Sequence, residues 1–567
     1  MSARELITDH LDLWTRAVTK KSSSGRGSNG KVELTGIKKL RELTLELAVR
    51  GLLTEQRIDE SNASEIVANL EKEQKQLVAA GLIKKPKPLK PIDENEKPYP
   101  LPKGWQWVRL GHTMEMYNGR AFKSSEWSTS GLPIVRIQNL NDPKAPTNYF
   151  SGPLDDRHSI DSGTFLISWS GTPGTSFGAF IWTRGPAALN QHINKCVFFG
   201  DFLNPEFMQL AVNGQMKNFI QSAQGGVGLK HVTKGVLANA LIALPPREEQ
   251  NHIVQKVDEL MALCDRLEQQ TSDQLGAHET LVDTLLGTLI QSANATELAD
   301  NWARLAEHFD TLFTTEQSID KLKQTILQLA VMGRLVEQDA GDEAASKLVA
   351  RVKEYLKQQN IKPITRDRST HDPSGFHYPL PSGWIWCEVN DIFAFANGKA
   401  HEKYVDDSGQ YILINSRFVS NSGRIQKRVS ERLTPLNEGD IAIVMSDVPK
   451  GRALARCYLV ESSDEYTLNQ RIGGLTTSPE VNRQYMLSVL NRHPYLLSYD
   501  DGKKQTNLKK IQILSTPLPV PPLAEQNRIV QKVDELMALC DHLKQRLTQA
   551  INTRCQLAGV VVEDALN

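Results

Sequence analysis

Apolar residues recur at alternating steps of four and three along two stretches of the chain, residues 248–291 and residues 525–561. Sustained four-three stepping places these side chains on one face of a helix and is typical of a coiled-coil seam. Packing against a neighbouring domain would also bury such a face, but we favour antiparallel pairing of two long helices. The predicted partner-helix seam consists of Ile253, Val257, Leu260, Cys264, Leu267, Ile529, Val533, Leu536, Cys540 and Leu543.

The two long helices belong to a tandem duplication. Residues 253–265 are identical to residues 529–541, and the motif YPLPxGWxW occurs at Tyr99 and again at Tyr378. Residues 37–56 resemble residues 319–338 in the same order along the chain. Residues 1–291 and 293–567 are therefore two copies of one unit, for which we expect pseudo-two-fold symmetry.

Each copy contains three kinds of segment. Its opening part has the apolar period of helices, its middle block has mixed alternation and many turn signals, and its last part is the long helix. The predicted fold class is α+β, with two α/β domains separated by long antiparallel coiled-coil helices. The predicted domains are an N-terminal helical region (1–97), a first α/β domain (98–245), a central helical region (246–375), a second α/β domain (376–520) and a C-terminal helix (521–567).

Composition argues against a membrane protein, a secreted protein and a zinc protein. Of the 567 residues, 40% are hydrophobic and 23% are charged, and 66 Lys and Arg balance 66 Asp and Glu. The sequence lacks the run of about 18 apolar residues that a membrane span needs, and its charged N-terminus is unlike a secretory signal. Six cysteines without a CxxC pair favour free thiols and argue against a zinc site. We expect a cytoplasmic globular protein without a metal.

The two copies differ mainly in their middle blocks. The helical ends are nearly duplicated, whereas the blocks share only landmarks such as Asn-Gly at 118 and 397 and Leu-Asn-Gln at 189 and 468. Two sites that recognise different things should share a scaffold and differ in their contacts. We therefore expect the helices to bind the same partner twice and the middle blocks to bind two different targets.

Basic residues are grouped within the middle blocks. Residues 98–244 contain 12 Lys and Arg against 8 Asp and Glu, and residues 376–520 contain 17 against 15. Clusters of Lys and Arg with interleaved aromatic residues are typical of surfaces that contact phosphates and base edges. Charge alone also allows a solvated surface with salt bridges, so both interpretations stay open at this point.

Apparent catalytic motifs are incomplete. GRGSNGKV at residues 25–32 approaches a P-loop but has Val32 where the magnesium-binding Ser or Thr would be. Asn204-Pro205-Glu206-Phe207 lacks the second proline of an amino-methyltransferase motif and is better explained as a helix start. The motifs give no nucleophile triad, and we predict no catalytic residue.

Taken together, the duplicated unit, the segments GIKKLRELTLELAVRGLL and LPPREEQNHIVQKVDEL, and two variable blocks opening with LPxGWxW resemble a type I restriction–modification specificity subunit. The resemblance covers the whole chain and is closest to the branch with a long N-terminal conserved region. It implies that residues 98–245 and 376–520 are target-recognition domains, each reading half of a split, asymmetric DNA site. One departure from the usual pattern is Thr164, where the second copy has Asp440.

The resemblance also implies partners and their cofactors. The helical regions would dock two modification subunits, which methylate adenine, and two restriction subunits would join as ATP-driven nucleases. S-adenosylmethionine, ATP and magnesium would bind those partners, and this non-catalytic chain would bind no cofactor. The candidate DNA contacts are Lys123, Arg136, Gln138, Asn139, Arg184, Lys230, His231, Lys234, Lys399, Arg417, Lys427, Arg428, Lys450, Arg452, Lys503, Lys504, Lys509 and Lys510.

Two other classes of function are compatible with parts of the pattern. The first alternative is a non-DNA adaptor, a coiled-coil scaffold with two peptide-binding domains, which would not retard duplex DNA in a gel. The second is a self-sufficient methyltransferase or nuclease, which would need a cofactor loop or a cluster of metal-binding carboxylates that the motifs do not supply.

Overall fold

The computed structural model describes residues 9–20, 32–55, 62–171, 178–215, 230–292, 295–359, 370–449 and 451–566. Both four-three stretches form long helices that begin just after a Pro-Pro pair, as predicted. The helices are α1 (Leu11–Arg16), α2 (Thr35–Arg50), α3 (Ala63–Ala79), α4 (Ile137–Asn141), α5 (Pro205–Gly214), α6 (Lys234–Ala238), α7 (Arg247–Gln291), α8 (Ala295–Glu307), α9 (Phe309–Leu312), α10 (Glu316–Val331), α11 (Ala345–Gln358), α12 (Val389–Ile392), α13 (Ser416–Ser420), α14 (Arg483–Leu490), α15 (Pro494–Leu497), α16 (Lys510–Leu514) and α17 (Leu523–Leu566).

The strands lie mainly in the two middle blocks, where alternation and turn signals predicted them. A short pair precedes them near the N-terminus. The strands are β1 (Thr19–Lys20), β2 (Val32–Glu33), β3 (Gln106–Arg109), β4 (Met114–Asn118), β5 (Leu132–Val135), β6 (Tyr149–Phe150), β7 (Ser159–Ile160), β8 (Phe165–Ser168), β9 (Ser170–Gly171), β10 (Gly178–Ile181), β11 (Ala187–Leu189), β12 (Ile193–Phe198), β13 (Lys230–His231), β14 (Leu241–Leu244), β15 (Ile385–Glu388), β16 (Phe393–Asn397), β17 (Tyr411–Ile414), β18 (Arg428–Val429), β19 (Pro435–Leu436), β20 (Ile441–Val444), β21 (Ser446–Asp447), β22 (Cys457–Leu459), β23 (Tyr466–Leu468), β24 (Ile472–Thr477), β25 (Thr506–Asn507) and β26 (Pro517–Val520).

The two middle domains have the same sheet topology. The first has four-stranded sheets in the orders β10-β8-β12-β4 and β6-β5-β11-β7, and the second has β22-β20-β24-β16 and β18-β17-β23-β19. Each domain also pairs its first strand with its last, β3 with β14 and β15 with β26. One pair in each domain is parallel, β5 with β11 and β17 with β23. The shared topology confirms the duplication and the α+β class.

One strand in the first sheet of each domain, β8 or β20, is buried on both faces. In β8, Phe165 and Ile167 face a core shared with the helices, whereas Leu166 faces the second sheet. In β20, Ile441 and Ile443 are divided in the same way from Ala442 and Val444. Both strands therefore read as continuous apolar runs without polar alternation, which is typical of strands covered on both sides.

The described chain forms two compact units. Unit 1 contains Met1–Thr19, Glu33–Ser272 and Asn552–Asn567, and unit 2 contains Lys20–Val32 and Asp273–Ile551. Each unit therefore holds one middle domain, the first part of the long helix that follows it, and the last part of the other long helix. The long helices α7 and α17 are the segments that each continue from one unit into the other.

The seam residues are buried or half-buried, but their surroundings include a helix that the prediction did not assign to the seam. In unit 1, Arg41 of α2 pairs with Asp265 and Glu268 of α7, and Arg50 of α2 donates to the carbonyl of Leu566 in α17. In unit 1 the seam residues Ile253, Val257, Leu260, Cys264 and Leu267 share one core with α2, α5 and the end of α17.

Unit 2 repeats this helical core. Lys321 of α10 pairs with Glu279 and Asp283 of α7, and Asp320 of α10 pairs with Lys544 of α17. The seam residues Ile529, Val533, Leu536, Cys540 and Leu543 lie in the core that contains α10 and the end of α7. The opening helix of each copy therefore joins the two long helices, because its own apolar face also has to be buried.

One smaller prediction is confirmed, and another concerns residues that the structure does not describe. Asn204 caps α5 through its side chain and Pro205 is the first helical residue, which confirms the helix start. Residues 25–31 of the P-loop-like segment lie outside the described residues. In the part of the chain that the structure describes, no helix is long and apolar enough to cross a membrane.

Candidate nucleic-acid interface

In unit 2, loops far apart in sequence meet at one edge of the middle domain. The amide of Met445, which follows β20, donates to the carbonyl of Arg471 at 2.9 Å. The amide of Leu508, which follows β25, donates to Met445 at 2.7 Å, and Lys399 after β16 donates to Leu468 at 3.1 Å. We name this surface the loop edge. In unit 2 it consists of residues 397–399, 414–417, 445–449, 451–452, 468–471 and 503–510.

Unit 1 builds its loop edge with the same backbone contacts. Trp169 after β8 donates to His192 at 3.4 Å, Val232 after β13 donates to Trp169 at 3.0 Å, and Arg120 after β4 donates to Leu189 at 2.8 Å. The loop edge of unit 1 consists of residues 118–120, 135–138, 168–171, 189–192 and 230–234. Because the loops correspond one to one, the two edges are the same scaffold with different side chains.

The shared Asn-Gly landmark is a requirement of this scaffold. A side chain on Gly398 would overlap the carbonyl of Asn469, and a side chain on Gly119 would overlap the carbonyl of Asn190. Only glycine lets the two loops approach this closely. The Leu-Asn-Gln landmark supplies the other half of each contact, so both landmarks maintain the geometry of the loop edge.

The loop edge of unit 2 adjoins a dense group of arginines. Arg456 donates through Nε and Arg492 through Nη1 to the same carbonyl oxygen, that of Arg452, each at 2.8 Å. Burial, together with the nearby Arg456, lowers the pKa of Arg492. We name Arg452, Arg456 and Arg492 the arginine cluster. Guanidinium groups held this close create a positive field that suits a phosphate.

The lysines of the adjacent loop extend from a turn. Asp501 accepts the backbone amides of Lys503 and Lys504, at 2.8 and 3.2 Å, and these bonds hold the pKa of the carboxyl below its usual range. The side chains of Lys503 and Lys504 are exposed. Because β21 pairs with β25, the turn is tied to the segment that carries Arg452.

The structure brings most of the unit 2 candidates together. Lys399, Arg417, Arg452, Lys503, Lys504 and Lys509 lie on the loop edge and are exposed. Lys510 is half-buried, with its ammonium 5.6 Å from the centre of the Phe395 ring. Lys427 is exposed beside β17. Arg428 donates to the carbonyl of Gly409, near the N-terminal end of β17, whereas the loop edge lies at the C-terminal end of this strand. Lys450 lies outside the described residues.

Fewer of the unit 1 candidates lie on the loop edge with a projecting side chain. Arg136 and Gln138 lie there, with Arg136 stacked 5.5 Å from the Trp127 ring. Lys230 and His231 form β13 beside β9, and their side chains are outside the described part. Lys234 is held by Glu115 and the carbonyl of Met116.

Three unit 1 candidates lie elsewhere. Lys123 is exposed in the loop that leaves the edge after Arg120, and Arg184 stacks on Trp182 at 4.2 Å and donates to the carbonyl of Asn139. Asn139 itself is 3% exposed, and its amide oxygen accepts the amide of Arg136 while its nitrogen donates to Thr147. This placement makes Asn139 a structural residue of α4, and it is left out of the proposed interface.

Sequence reasoning missed several residues of the loop edge and of the arginine cluster. Arg471 adopts a positive φ of 71° directly after the Leu-Asn-Gln landmark, where the first copy has His192. A divergent residue beside a shared landmark is the signal that could have identified this position. Arg492 left no such signal, since it follows α14 and joins the arginine cluster only through the tertiary fold.

The chain is similar to known proteins over both copies of its duplicated unit. A family model described as a type I restriction modification DNA specificity domain matches residues 102–277 and 381–553. The EcoAI and EcoEI type I restriction enzyme specificity subunits of Escherichia coli are each 34% identical over the full length of both chains. A chain from a structure on complex assembly and conformational transition of the type I R-M system covers 83% of this chain and 99% of its own length, at 17% identity and a TM-score of 0.47.

The family match repeats once in each copy of the duplication, and the curated relatives extend from one end of the chain to the other. The two matched stretches include the strands that build the two loop edges. The chain therefore belongs to the family of type I restriction–modification DNA specificity subunits.

Proposed function

We propose that each loop edge reads one half of a split, asymmetric DNA site, so that unit 1 and unit 2 recognise different half-sequences. The observation that carries this proposal is the pair of matching loop edges with different side chains. Within one scaffold, residues such as His192 and Arg471 occupy equivalent places and offer different donors and acceptors to base edges.

Phosphate contacts come mainly from unit 2 in this proposal. The arginine cluster and the exposed Lys503 and Lys504 contact DNA phosphates rather than base edges in this proposal. Such contacts position the domain on the duplex without reading its sequence. In the described part of unit 1, Lys234 is already paired with Glu115, which leaves it less available to a phosphate. Unit 1 then depends more on polar contacts from the loops that follow β5 and β11.

The duplicated helices are the proposed docking surfaces for two modification subunits and for restriction subunits. Gln255, Asp258, Glu259 and Ala262 of α7 are exposed, and so are the identical residues of α17, Gln531, Asp534, Glu535 and Ala538. Core packing does not require exposed residues to be identical. The identity ends at Asp265 and Asp541 although both helices continue, as expected if one kind of partner binds twice.

In this proposal the chain is non-catalytic and supplies sequence recognition and assembly. S-adenosylmethionine, which provides the methyl group, and ATP with magnesium, which drive the restriction subunit, belong to the partner subunits. The residues of this chain contact bases and phosphates and set the distance between the two half-sites.

The proposal is tested by mapping adenine methylation in cells that contain the chain and its modification subunit. Arg471→Asn keeps a residue that tolerates a positive φ and removes the guanidinium, so it should relax only the half-sequence read by unit 2. The matched variant His192→Ala should alter only the other half. Methylation of an unsplit site, or a change in both half-sequences from either variant, would contradict the proposal.

A further inference from the structure

Three consecutive identical residues lie near the start of each long helix, at the junction with its middle domain. They are Glu249, Gln250 and Asn251 in α7, and Glu525, Gln526 and Asn527 in α17. The two residues before each triplet differ between the copies, Arg247 and Glu248 in one and Leu523 and Ala524 in the other. We name these two triplets the helix-start triplets.

The glutamate of each triplet is buried and bonded to two other segments. Glu249 is 3% exposed and accepts Nε1 of Trp105 at 2.8 Å and the hydroxyl of Thr54 at 3.4 Å. Glu525 is 1% exposed and accepts Nε1 of Trp384 at 2.9 Å and the amide of Gln338 at 2.7 Å. Each carboxylate therefore joins the long helix to the tryptophan at the start of the middle domain and to the chain beyond the opening helix.

The glutamine of each triplet bonds to two further segments. Gln250 donates to the carbonyl of Pro245 at 3.0 Å and accepts the amide of Asn204 at 2.8 Å. Gln526 makes the same two bonds, to Pro521 at 2.9 Å and from Asn482 at 3.0 Å. Because Asn204 and Asn482 cap α5 and α14, the glutamines attach the long helices to the packed helices of the middle domains.

The asparagine completes the junction at its exposed rim. Asn204 donates through its side chain to Asn251 at 2.8 Å, and Asn482 donates to Asn527 at 2.7 Å. Three neighbouring side chains thus bond to the middle domain at its first tryptophan and at the asparagine that caps its helix. A helix end held by buried bonds at several points has little freedom to tilt, since each lost buried bond would leave a polar group unpaired.

We propose that the helix-start triplets are positioning joints, which hold each recognition domain at one angle on its long helix and thereby define the spacer of the split site. This inference rests on the proposed function, because only a split site has a spacer. A domain of this size has a radius of gyration of about 15 Å. A tilt of about 10°, acting about 20 Å from the joint, would move the loop edge by about 3.5 Å, which is close to one base-pair step.

The test uses the full chain assembled with its modification subunit and duplexes that carry both half-sites at different spacers. Wild type should methylate one spacer at least tenfold faster than spacers one base pair longer or shorter. Gln250→Ala with Gln526→Ala should reduce this ratio to about threefold or less while the half-sequences stay the same. The matched control is Glu248→Ala, since the second copy already has Ala524 there, and it should keep the wild-type ratio.

If loss of the buried glutamines prevents folding, Asn251→Ala with Asn527→Ala tests the inference instead. Both asparagines are exposed, so their loss leaves the buried core intact, and the spacer ratio should still fall at least twofold. A lowered melting temperature with an unchanged spacer ratio would overturn the inference and leave a structural role only. Strict spacing in wild type would at the same time uphold the proposed function, whereas methylation of an unsplit site by wild type would overturn both.

Discussion

At the residue scale, the second recognition domain concentrates positive charge that its sequence distributes over three separate segments. Arg452 and Arg456 come from the hairpin after β21, Arg492 follows α14, and Lys503 and Lys504 precede β25. The shared carbonyl of Arg452 and the pairing of β21 with β25 hold these segments together. The arrangement suits a phosphate backbone, and each exposed side chain can be tested singly.

We expect Lys503→Ala with Lys504→Ala to weaken DNA binding for every sequence alike. Each lost phosphate contact removes about 0.9 from the slope of log affinity against log salt, so the slope should flatten by about one to two. Binding titrations at several salt concentrations measure it. Lys347→Ala with Lys357→Ala on α11 is the control and should leave the slope unchanged. An unchanged slope in the first variant would place Lys503 and Lys504 on a solvated face instead.

His493 makes a pH-dependent contribution to the stability of unit 2. Burial lowers the pKa of His493 to about 4, and its Nδ1 accepts the backbone amide of Tyr495 at 3.2 Å. An unfolded histidine titrates near pH 6.5, so between pH of about 6.5 and 4 only the unfolded chain binds the proton. The free energy of unfolding therefore falls as the pH falls through this window, by up to about 3 kcal/mol for this group.

His493→Asn keeps an acceptor at the start of α15 and removes the titration. Urea unfolding at pH 7 and at pH 4.5 should show a smaller loss of stability for this variant than for wild type. The exposed His371 gives the control, because His371→Asn should keep the wild-type difference between the two pH values. If His493→Asn also kept it, His493 would not be the responsible group.

At the element scale, the long helices combine two tasks on different faces. The apolar seam packs into the helical core of each unit, and the exposed face of the first turns is identical in α7 and α17. The seam keeps its four-three period through the shared segment, so a change of length by whole heptads preserves which side chains face the core. Length can then be varied without redesigning the packing.

We expect seven residues inserted after Ser272 in α7 and after Ile551 in α17 to lengthen the spacer. Each insertion adds two turns, or about 10 Å, which corresponds to about three base pairs. Both positions lie where one unit ends and the other begins, so the contacts inside each unit are preserved. Methylation mapping should give the same two half-sequences with a longer gap.

The same insertion in α7 alone is the matched control. It makes the two helices unequal in length, and it should abolish methylation or destabilise the chain. Altered half-sequences with an unchanged gap in the double insertion would show that the helices do not set the spacing.

At the scale of the whole molecule, each unit is completed by the end of the other copy's long helix. Ala558 and Val562 of α17 pack in the core of unit 1, and the residues 276 positions earlier, Val282 and Leu286 of α7, pack in the core of unit 2. Equivalent positions in the repeat therefore fill equivalent places in the two units. A single copy of the repeat therefore contains both an incomplete core and a helix end of the kind that completes it.

We predict that residues 1–291 form a dimer in which each chain's helix end completes the other's core. Such a contact is self-complementary and closes with two-fold symmetry. In this dimer Val282 and Leu286 would occupy the places that the smaller Ala558 and Val562 occupy in the full chain. The larger side chains would cost about 1–3 kcal/mol, which lowers the dimer's stability without abolishing it. Together with the modification subunit, this fragment should methylate a split palindrome made of the unit 1 half-sequence.

Sedimentation measures the mass of this fragment, and methylation mapping identifies its site. Residues 1–272 lack the helix end and should stay monomeric, which makes them the matched control. A folded monomer of residues 1–291 that never acts on palindromic sites would contradict the two-fold account of the duplication.

Local patterns along the chain were enough to predict the long helices and the repetition of the unit. The four-three period of α7 and α17 and the Pro-Pro pairs before them are local signals, so both helices could be placed within a few residues. The duplication follows from comparing the chain with itself, and the divergent middle blocks between shared landmarks indicated two different targets. These inferences needed no knowledge of which strand lies beside which.

Which side chains meet depends on the order of the strands and on burial, and local patterns do not reveal these. The loop edge of unit 2 exists because β24 lies between β16 and β20, which brings Lys399, Arg471 and Met445 together from distant parts of the chain. Arg492 joins the arginine cluster for the same reason, and Asn139, a plausible base contact by residue type, is buried as a cap of α4. Periodicity reports the local backbone, whereas strand order and burial depend on contacts between distant residues, and these are set by packing the whole domain.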